Sequence, residues 1–412
     1  MKILAFSDAG CTTGFGNVAD ALYSRWVAQG HSVDVLAVNY LGDPWPSEYK
    51  LWPARSPDVY GMSRVREVLQ RVNPDVVFIM NDLPIIGNML FRNRLDMPSM
   101  LFNYPIMTYS PIDCKGLPPS WVESIKQVEV AAVQSFWGQR VLKEEYDLDV
   151  KVHWHGYDKD KFYPITKDRP QQIVTHYEGR AVSKVLKNKQ QAKEAMKYGG
   201  KFIVLNINRN SQRKNLGETI RVFSEFAKDK SDVLLYLHAQ VVDNGINLAE
   251  YINRFGIEDK VAVTPDVNTF VGHPADALNV FYNMADVFLT TSFSEGFGLS
   301  ALEAEATGLP VIATDFSSFG EVVGDAGILT PVDRYYLTGT GVDMALPDLD
   351  AMLDVLNDLY YHPEKRVSLG QNGIDHAKQF DWDVIAADML NDLNEAVARH
   401  KLHAKSRGLV LK

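Results

Sequence analysis

Residues 292–315 read "SFSEGFGLSALEAEATGLPVIATD". Behind them lies the apolar, β-branched run "DVFLTT", and within them come a glycine-rich turn, a small-residue helix, a Gly-Leu-Pro break and a second β-branched run. That order predicts strand, turn, helix, strand, the repeating unit of a parallel α/β sheet. The turn carries Glu295 and the helix Glu303, eight residues on. At about 100° per residue, Leu299, Leu302 and Ala306 fall within roughly 60° of one another and form the buried stripe. Glu303 lies about 40° from Leu299, at the stripe's edge, and Glu305 well outside it. A carboxylate at the margin of an apolar face needs a partner. No lysine or arginine occurs between Lys260 and Arg334, so hydroxyl groups are good candidates, and those of a sugar donate well to carboxylates. The plainer alternative is a helix-start glutamate favoured by the macrodipole and a second one bonded to a backbone amide.

Outward from this stretch the same alternation runs almost end to end. Strands are expected at "KILAFS", "SVDVLAV", "DVVFIM", "SMLFNY" and "VEVAAV", then at "KFIVLNI", "VLLYLHA", "KVAVTP", "DVFLTT" and "PVIATD". Between the two series, residues 158–201 are polar and lysine-rich with few strand signals. Two doubly wound α/β domains joined near residue 165 follow, and 412 residues are ample for two cores. Ligands of such sheets sit beyond the carboxyl ends of the strands, which singles out three loops.

The first, "SDAGCTTGFGN" (7–17), is glycine-rich but fits neither the dinucleotide fingerprint nor a P-loop. It is either a phosphate cradle at a helix start or a plain tight turn. The second, "INRNSQRKN" (207–215), offers Arg209 and Lys214 to a diphosphate, with Arg213 as substitute, or is a solvated basic turn. The third is the opening stretch.

At 46% apolar and 23% charged, with no run long enough to span a bilayer, the composition is that of a soluble globular protein. "MKILAFSDAG" reads as a first strand and not as a secretory signal. Cys11 and Cys114 form neither a disulfide framework nor a metal motif, so a cytoplasmic setting is expected. A net charge of −10 argues against general nucleic-acid binding. "NYLGDPWPSEYKLWP" (39–53) is aromatic enough for sugar contacts, or packs locally. Lys189, Lys193 and Lys197 recur at i+4 as a solvated stripe or a weak peripheral contact with anionic lipid.

Together "SEGFGLSALEAEATGLPVIATD", "NRNSQRK", "HGYDKDKFYP", "FGEVVGDAGIL" and "FDWDVIAADML" resemble the ordered motifs of the family-4 retaining glycosyltransferases, with their E-x7-E signature. The resemblance implies a GT-B fold, two Rossmann-like domains facing across a cleft. The first, acceptor-side domain would cover residues 1–165. The second, donor-side domain would cover 166–384, with a C-terminal helix at about 385–412 packing back on the first. It implies transfer of a hexose-type sugar from a UDP-sugar or GDP-sugar to a saccharide, lipid-linked or other hydroxyl acceptor, without a metal or other cofactor. On this resemblance Glu303 binds ribose hydroxyls and Glu295 a hydroxyl of the transferred sugar. Arg209 and Lys214 stabilise the leaving diphosphate. Gly16 and the amides near Gly298 cradle its phosphates, and Gly14, Phe15, Gly296, Phe297 and Leu299 complete the donor-binding set. The chain departs from the family pattern at Asn208 and Asn215, where many relatives have glycine, and at His155, where they have asparagine. A histidine usual after the fourth strand is missing, and Asp113, with Tyr104 behind it, is the nearest candidate for a sugar or acceptor contact unless Asp113 is a turn residue. Two rival readings stay open, a GT-B sugar-nucleotide epimerase and a non-catalytic nucleotide-sugar or glycan-binding protein.

Overall fold

The computed structural model describes all residues except 92–97, 178–179, 268–272 and 407–412. The chain divides into two units. The first comprises Met1–Gly156, Leu337–Asp343 and Asp381–Lys412, and the second Tyr157–Tyr336 and Met344–Phe380.

The first unit is built on strands β1 (Lys2–Asp8), β2 (Ser32–Val38), β3 (Lys50–Pro53), β4 (Val76–Met80), β5 (Ile106–Ser110), β6 (Val130–Val133) and β7 (Lys151–Val152). They form one sheet in the order β3-β2-β1-β4-β5-β6-β7, and the pairings are parallel. All of β4 and β5 is buried, as strands covered on both faces must be. One face packs Leu4, Leu36, Val68, Leu69, Ile79 and Ile86 into a common core. On this unit lies the helix Trp382–Ser406. Trp26 is fully buried and donates its indole N–H to the carbonyl of Ala386 at 3.0 Å. His153 pairs with Asp392 at 2.7 Å, and Gly156 lies so near Trp382 that a Cβ would stand 2.7 Å from its ring.

The second unit opens with the antiparallel hairpin β8 (Gln171–Tyr177) and β9 (Arg180–Leu186). It falls in the stretch that shows few strand signals, because little of it is buried: Val174, Val182 and Val185 are exposed, so the alternation marks no core face. The parallel strands β10 (Phe202–Ile207), β11 (Val233–His238), β12 (Val261–Val263), β13 (Val287–Leu289), β14 (Val311–Thr314) and β15 (Ile328–Thr330) follow, in the order β12-β11-β10-β13-β14-β15. A further hairpin, β16 (Val332–Leu337) and β17 (Asp343–Pro347), was not legible in the pattern either. Strand order reverses at β10, which lies between β11 and β13. The loops after β10 and β13 therefore leave the sheet side by side at its switch point, where α/β sheets bind ligands.

Candidate functional site

A ladder of buried polar groups ties these two loops together. Asn206, inside β10, donates to the carbonyl of Leu289 at 2.8 Å and receives Asn208 at 3.0 Å. Thr219 and Thr291 share a hydrogen bond of 2.7 Å, and Asn215 exchanges bonds with Thr291 through its Nδ2 (3.1 Å) and its carbonyl (2.8 Å). The Phe293 amide donates to the carbonyl of Arg213 at 2.9 Å. Asn215 has φ +53°, a left-handed conformation that asparagine tolerates better than most residues.

This registration delivers Arg213 and Lys214 to Glu295. Lys214 Nζ lies 2.5 Å from Oε1, and Arg213 Nη1 2.9 Å from Oε2. Glu295 is 5% exposed, and its own backbone is clamped: its amide donates to Ser317 Oγ at 2.9 Å and its carbonyl accepts from Ser318 Oγ at 3.0 Å. Burial alone would push the carboxyl up, but the charges of Arg213 and Lys214 and their hydrogen bonds outweigh it and hold the group down at about 2. Gly298 closes the turn at φ +98°, with Phe319 3.2 Å from where a Cβ would stand. The helix Leu299–Ala306 starts immediately after it, and Phe297 is buried against Phe380.

Arg209 is elsewhere. Its guanidinium makes two bonds to Asp243, at 2.7 and 3.2 Å. The structure thus brings Lys214 onto Glu295 together with Arg213, the residue expected only as a substitute for Arg209. Glu303 accepts from the fully buried Tyr282 hydroxyl at 2.7 Å, and burial, only partly offset by that bond, pushes it up to about 7.

Glu305 overturns the expectation from helical phase. It is 1% exposed, because the helix Pro363–Ala377 covers a second side of its helix. The two backbones meet at glycines: a Cβ on Gly373 would stand 3.2 Å from Glu305 Cα, and one on Gly370 would stand 2.4 Å from the Gly308 carbonyl. Glu305 Oε2 bonds His376 Nδ1 at 2.9 Å, while Oε1 finds no hydrogen-bond partner among the described residues. Burial pushes this carboxyl up to about 7 as well, against the His376 bond and charge. A raised carboxyl favours folding below its unfolded value and loses that contribution as pH rises through the folded one. Stability of the wild-type second unit to urea is expected to fall between about pH 4.5 and pH 7, and Glu305→Gln to lessen that fall. Equal slopes in the two proteins would exclude the assignment.

In the first unit, Thr13 caps the helix Gly14–Ala28. Its Oγ1 accepts from the Gly16 amide at 3.1 Å and donates to the buried Asp8 at 2.8 Å. Gly16 is obligatory, since a Cβ would stand 2.3 Å from the Cys11 carbonyl, while Gly14 is open to solvent and Phe15 half-buried. The Gly16 amide is therefore already engaged by Thr13. Asp113 lies beside the buried Cys114, whose thiol is pushed up by burial and then by the Asp113 charge. Tyr104 packs against the first unit's core. Of the aromatics in 39–53, Trp52 donates to Asp34 at 2.7 Å and Tyr49 is buried, so these two pack locally. The lysine stripe dissolves: Lys193 is buried on Asp286 at 2.6 Å with Lys189 beside it, and Lys197 lies past the end of the helix Lys189–Ala195. Among the described residues no three His, Cys, Asp or Glu side chains gather as metal ligands, and no helix is long and apolar enough to cross a membrane.

Comparison with known proteins adds three findings. Residues 187–376 match the family model described as glycosyl transferases group 1. The D-inositol 3-phosphate glycosyltransferase of Paenarthrobacter aurescens (strain TC1) is 36% identical over 152 residues, 37% of this chain and 33% of that protein. That of Corynebacterium glutamicum (strain R) is 32% identical over 133 residues, 32% of this chain and 29% of that protein. The match thus spans about a third of the length of these curated relatives. Among solved structures, sucrose-phosphate synthase from Thermosynechococcus elongatus superposes with a TM-score of 0.71 at 15% identity, covering 97% of this chain and 99% of that one. Anabaena HepE in complex with UDP-glucose gives 0.68 at 14% identity, covering 96% and 99%. In its second unit the chain is similar, over residues 187–376, to the glycosyl transferases group 1, and as a whole it has the GT-B fold of two Rossmann-like units.

Proposed function

We propose that the protein is a retaining glycosyltransferase that moves a hexose-type sugar from a nucleoside-diphosphate sugar to an acceptor hydroxyl. The observation that carries this reading is the buried Glu295 held between Lys214 and Arg213 at the sheet's switch point, with Glu303 eight residues on. Support also comes from relatives named as glycosyltransferases and from a neighbour of the same fold solved with UDP-glucose. Departure of the diphosphate develops negative charge on its oxygens. Lys214, Arg213 and the amides from Gly296 to Leu299 are preorganised to meet that charge, the largest rate effect such a site can supply. Arg209, steadied by Asp243, adds a third cation on the same loop. Glu295 accepts a hydroxyl of the transferred sugar. No side chain is assigned as nucleophile: the acceptor hydroxyl attacks on the face the diphosphate leaves, and a phosphate oxygen takes its proton. The acceptor binds the first unit. The relatives' name makes inositol 3-phosphate a natural first acceptor to assay.

Glu303 gives the donor site a pH signature. Only its ionised form is a pure acceptor for ribose hydroxyls, and it ionises as pH rises through about 7. Calorimetric titration with UDP and with GDP, in excess chelator, is expected to show binding of one of them. Its affinity should rise about tenfold from pH 6 to pH 8, a rise that Glu303→Gln abolishes. Binding of neither nucleotide would overturn the transferase reading. Formation of an epimerised nucleotide sugar without acceptor would replace it with an epimerase.

A further inference from the structure

The first unit carries a cavity of about 610 Å³ that the donor chemistry does not use. It is lined by Leu41, which follows β2, by Pro53 at the end of β3, by Ala54, Arg55 and Ser56 just beyond, and by Arg64. It therefore opens at the carboxyl ends of two parallel strands, the side on which α/β sheets bind ligands. Its volume lies in the range of small-molecule sites.

Guanidinium groups crowd one carboxylate beside it. Glu67 alone is shared by three guanidinium groups: Arg64 at 3.3 Å, Arg71 at 3.4 Å and Arg55 at 3.8 Å. Lys50 adds a fourth cation, 3.9 Å from Asp34. Asp58 faces the neighbouring turn, where the Ser63 amide takes up its carboxylate at 2.7 Å. Over residues 34–71 basic and acidic side chains balance in number, but three of the basic ones converge on the single Glu67 carboxylate. Arg64 is 7% exposed, and its guanidinium is fixed by both Glu67 oxygens and by the Pro53 carbonyl. Glu67 takes the Nε/Nη2 edge of that fork, so Arg64 offers an incoming anion its fixed charge and the remaining Nη donors. Arg55, its side chain 68% exposed and only loosely paired with Glu67 at 3.8 Å, stands at the cavity, and Ser56 supplies a hydroxyl.

We propose that this cavity is an anion subsite for the acceptor, holding a phosphate monoester between Arg55, Arg64 and Ser56 while the apolar wall of Leu41, Pro53 and Ala54 takes the carbon skeleton. The assignment of the anion to an acceptor rests on the transferase reading; the anion site itself does not. A soluble phosphorylated polyol and a phospholipid headgroup present the same group, and the experiment separates them.

The chain is titrated with glycerol 3-phosphate and with glycerol, UDP and GDP both present in excess so that phosphate sites in the second unit are already filled. In parallel it is sedimented with phosphatidylcholine vesicles with and without phosphatidic acid. The expected result is binding of glycerol 3-phosphate but not glycerol, or of the phosphatidic acid vesicles alone, which assigns the lipid source. Arg55→Glu, an exposed substitution whose folding is checked by thermal melting, should weaken that binding tenfold or more. Binding of neither phosphate probe, or binding untouched by Arg55→Glu, overturns the inference. Failure of UDP and GDP to bind on their own strikes the transferase reading instead and leaves the phosphate result to stand by itself.

Discussion

Lys214→Ala should lower the rate of sugar transfer about 10²-fold or more, measured as donor consumption at saturating donor and acceptor. Its ammonium is 2.5 Å from Glu295 and its side chain is 15% exposed, so its position is set before any ligand arrives. A diphosphate entering beside Glu295 meets a cation that needs no reorganisation, and this is what makes such charges effective on a developing anion. The loss corresponds to about 2.7 kcal/mol of transition-state stabilisation. Arg213 remains on the other carboxylate oxygen and the loop ladder from Asn206 to Thr291 does not involve Lys214, so the variant should still fold. Nucleotide binding should weaken much less than turnover, because the charge matters most as the bond breaks. Unchanged turnover would reduce Lys214 to a structural partner of Glu295.

What was legible in the sequence was the part that periodicity and punctuation encode. Buried parallel strands such as β10 and β11 are near-continuous apolar runs, and both are buried along their whole length. The Gly298 turn announces itself because only glycine fits φ +98° with Phe319 alongside. The hairpin β8–β9 and the strand β16 were not legible, since strands with little buried surface lose the alternation that a core face imposes. Within the site, the type of residue was readable and the pairing was not. Arg209 and Arg213 are equally good cations four residues apart, and only the fold sends the first to Asp243 and the second to Glu295. Glu305 shows the same limit. Its phase on the helix points away from the sheet, but a second helix arrives there through Gly370 and Gly373, some seventy residues away in the chain. A helix's own periodicity reports one buried face and is silent about a second.

The Glu295 cluster also bears on stability, with a sign that can be worked out. The carboxyl stands at about 2 in the folded chain against an ordinary 4.5, so its contribution is fully present above about pH 4.5 and is lost as pH falls toward 2. The difference amounts to roughly 3 kcal/mol, an upper figure because Arg213 is one-third exposed and partly screened. Glu295→Ala leaves Arg213 and Lys214 facing each other without their counter-charge and should cost about 3–5 kcal/mol at neutral pH. Glu295→Gln keeps the shape, loses the charge, and should flatten the acid limb. Urea midpoints followed from pH 2.5 to pH 7 test both: the wild type should lose stability below pH 4.5 more steeply than either variant. Equal acid slopes would mean that the three side chains do not hold one another in solution. A steeper wild-type slope has a functional corollary, because the same carboxylate that keeps two cations in place while the site is empty must give up part of that attraction when a diphosphate arrives. The strength of the empty cluster therefore sets how much of the diphosphate's binding is offset, and Glu295→Gln should bind UDP or GDP at least as tightly as the wild type even where it transfers no sugar.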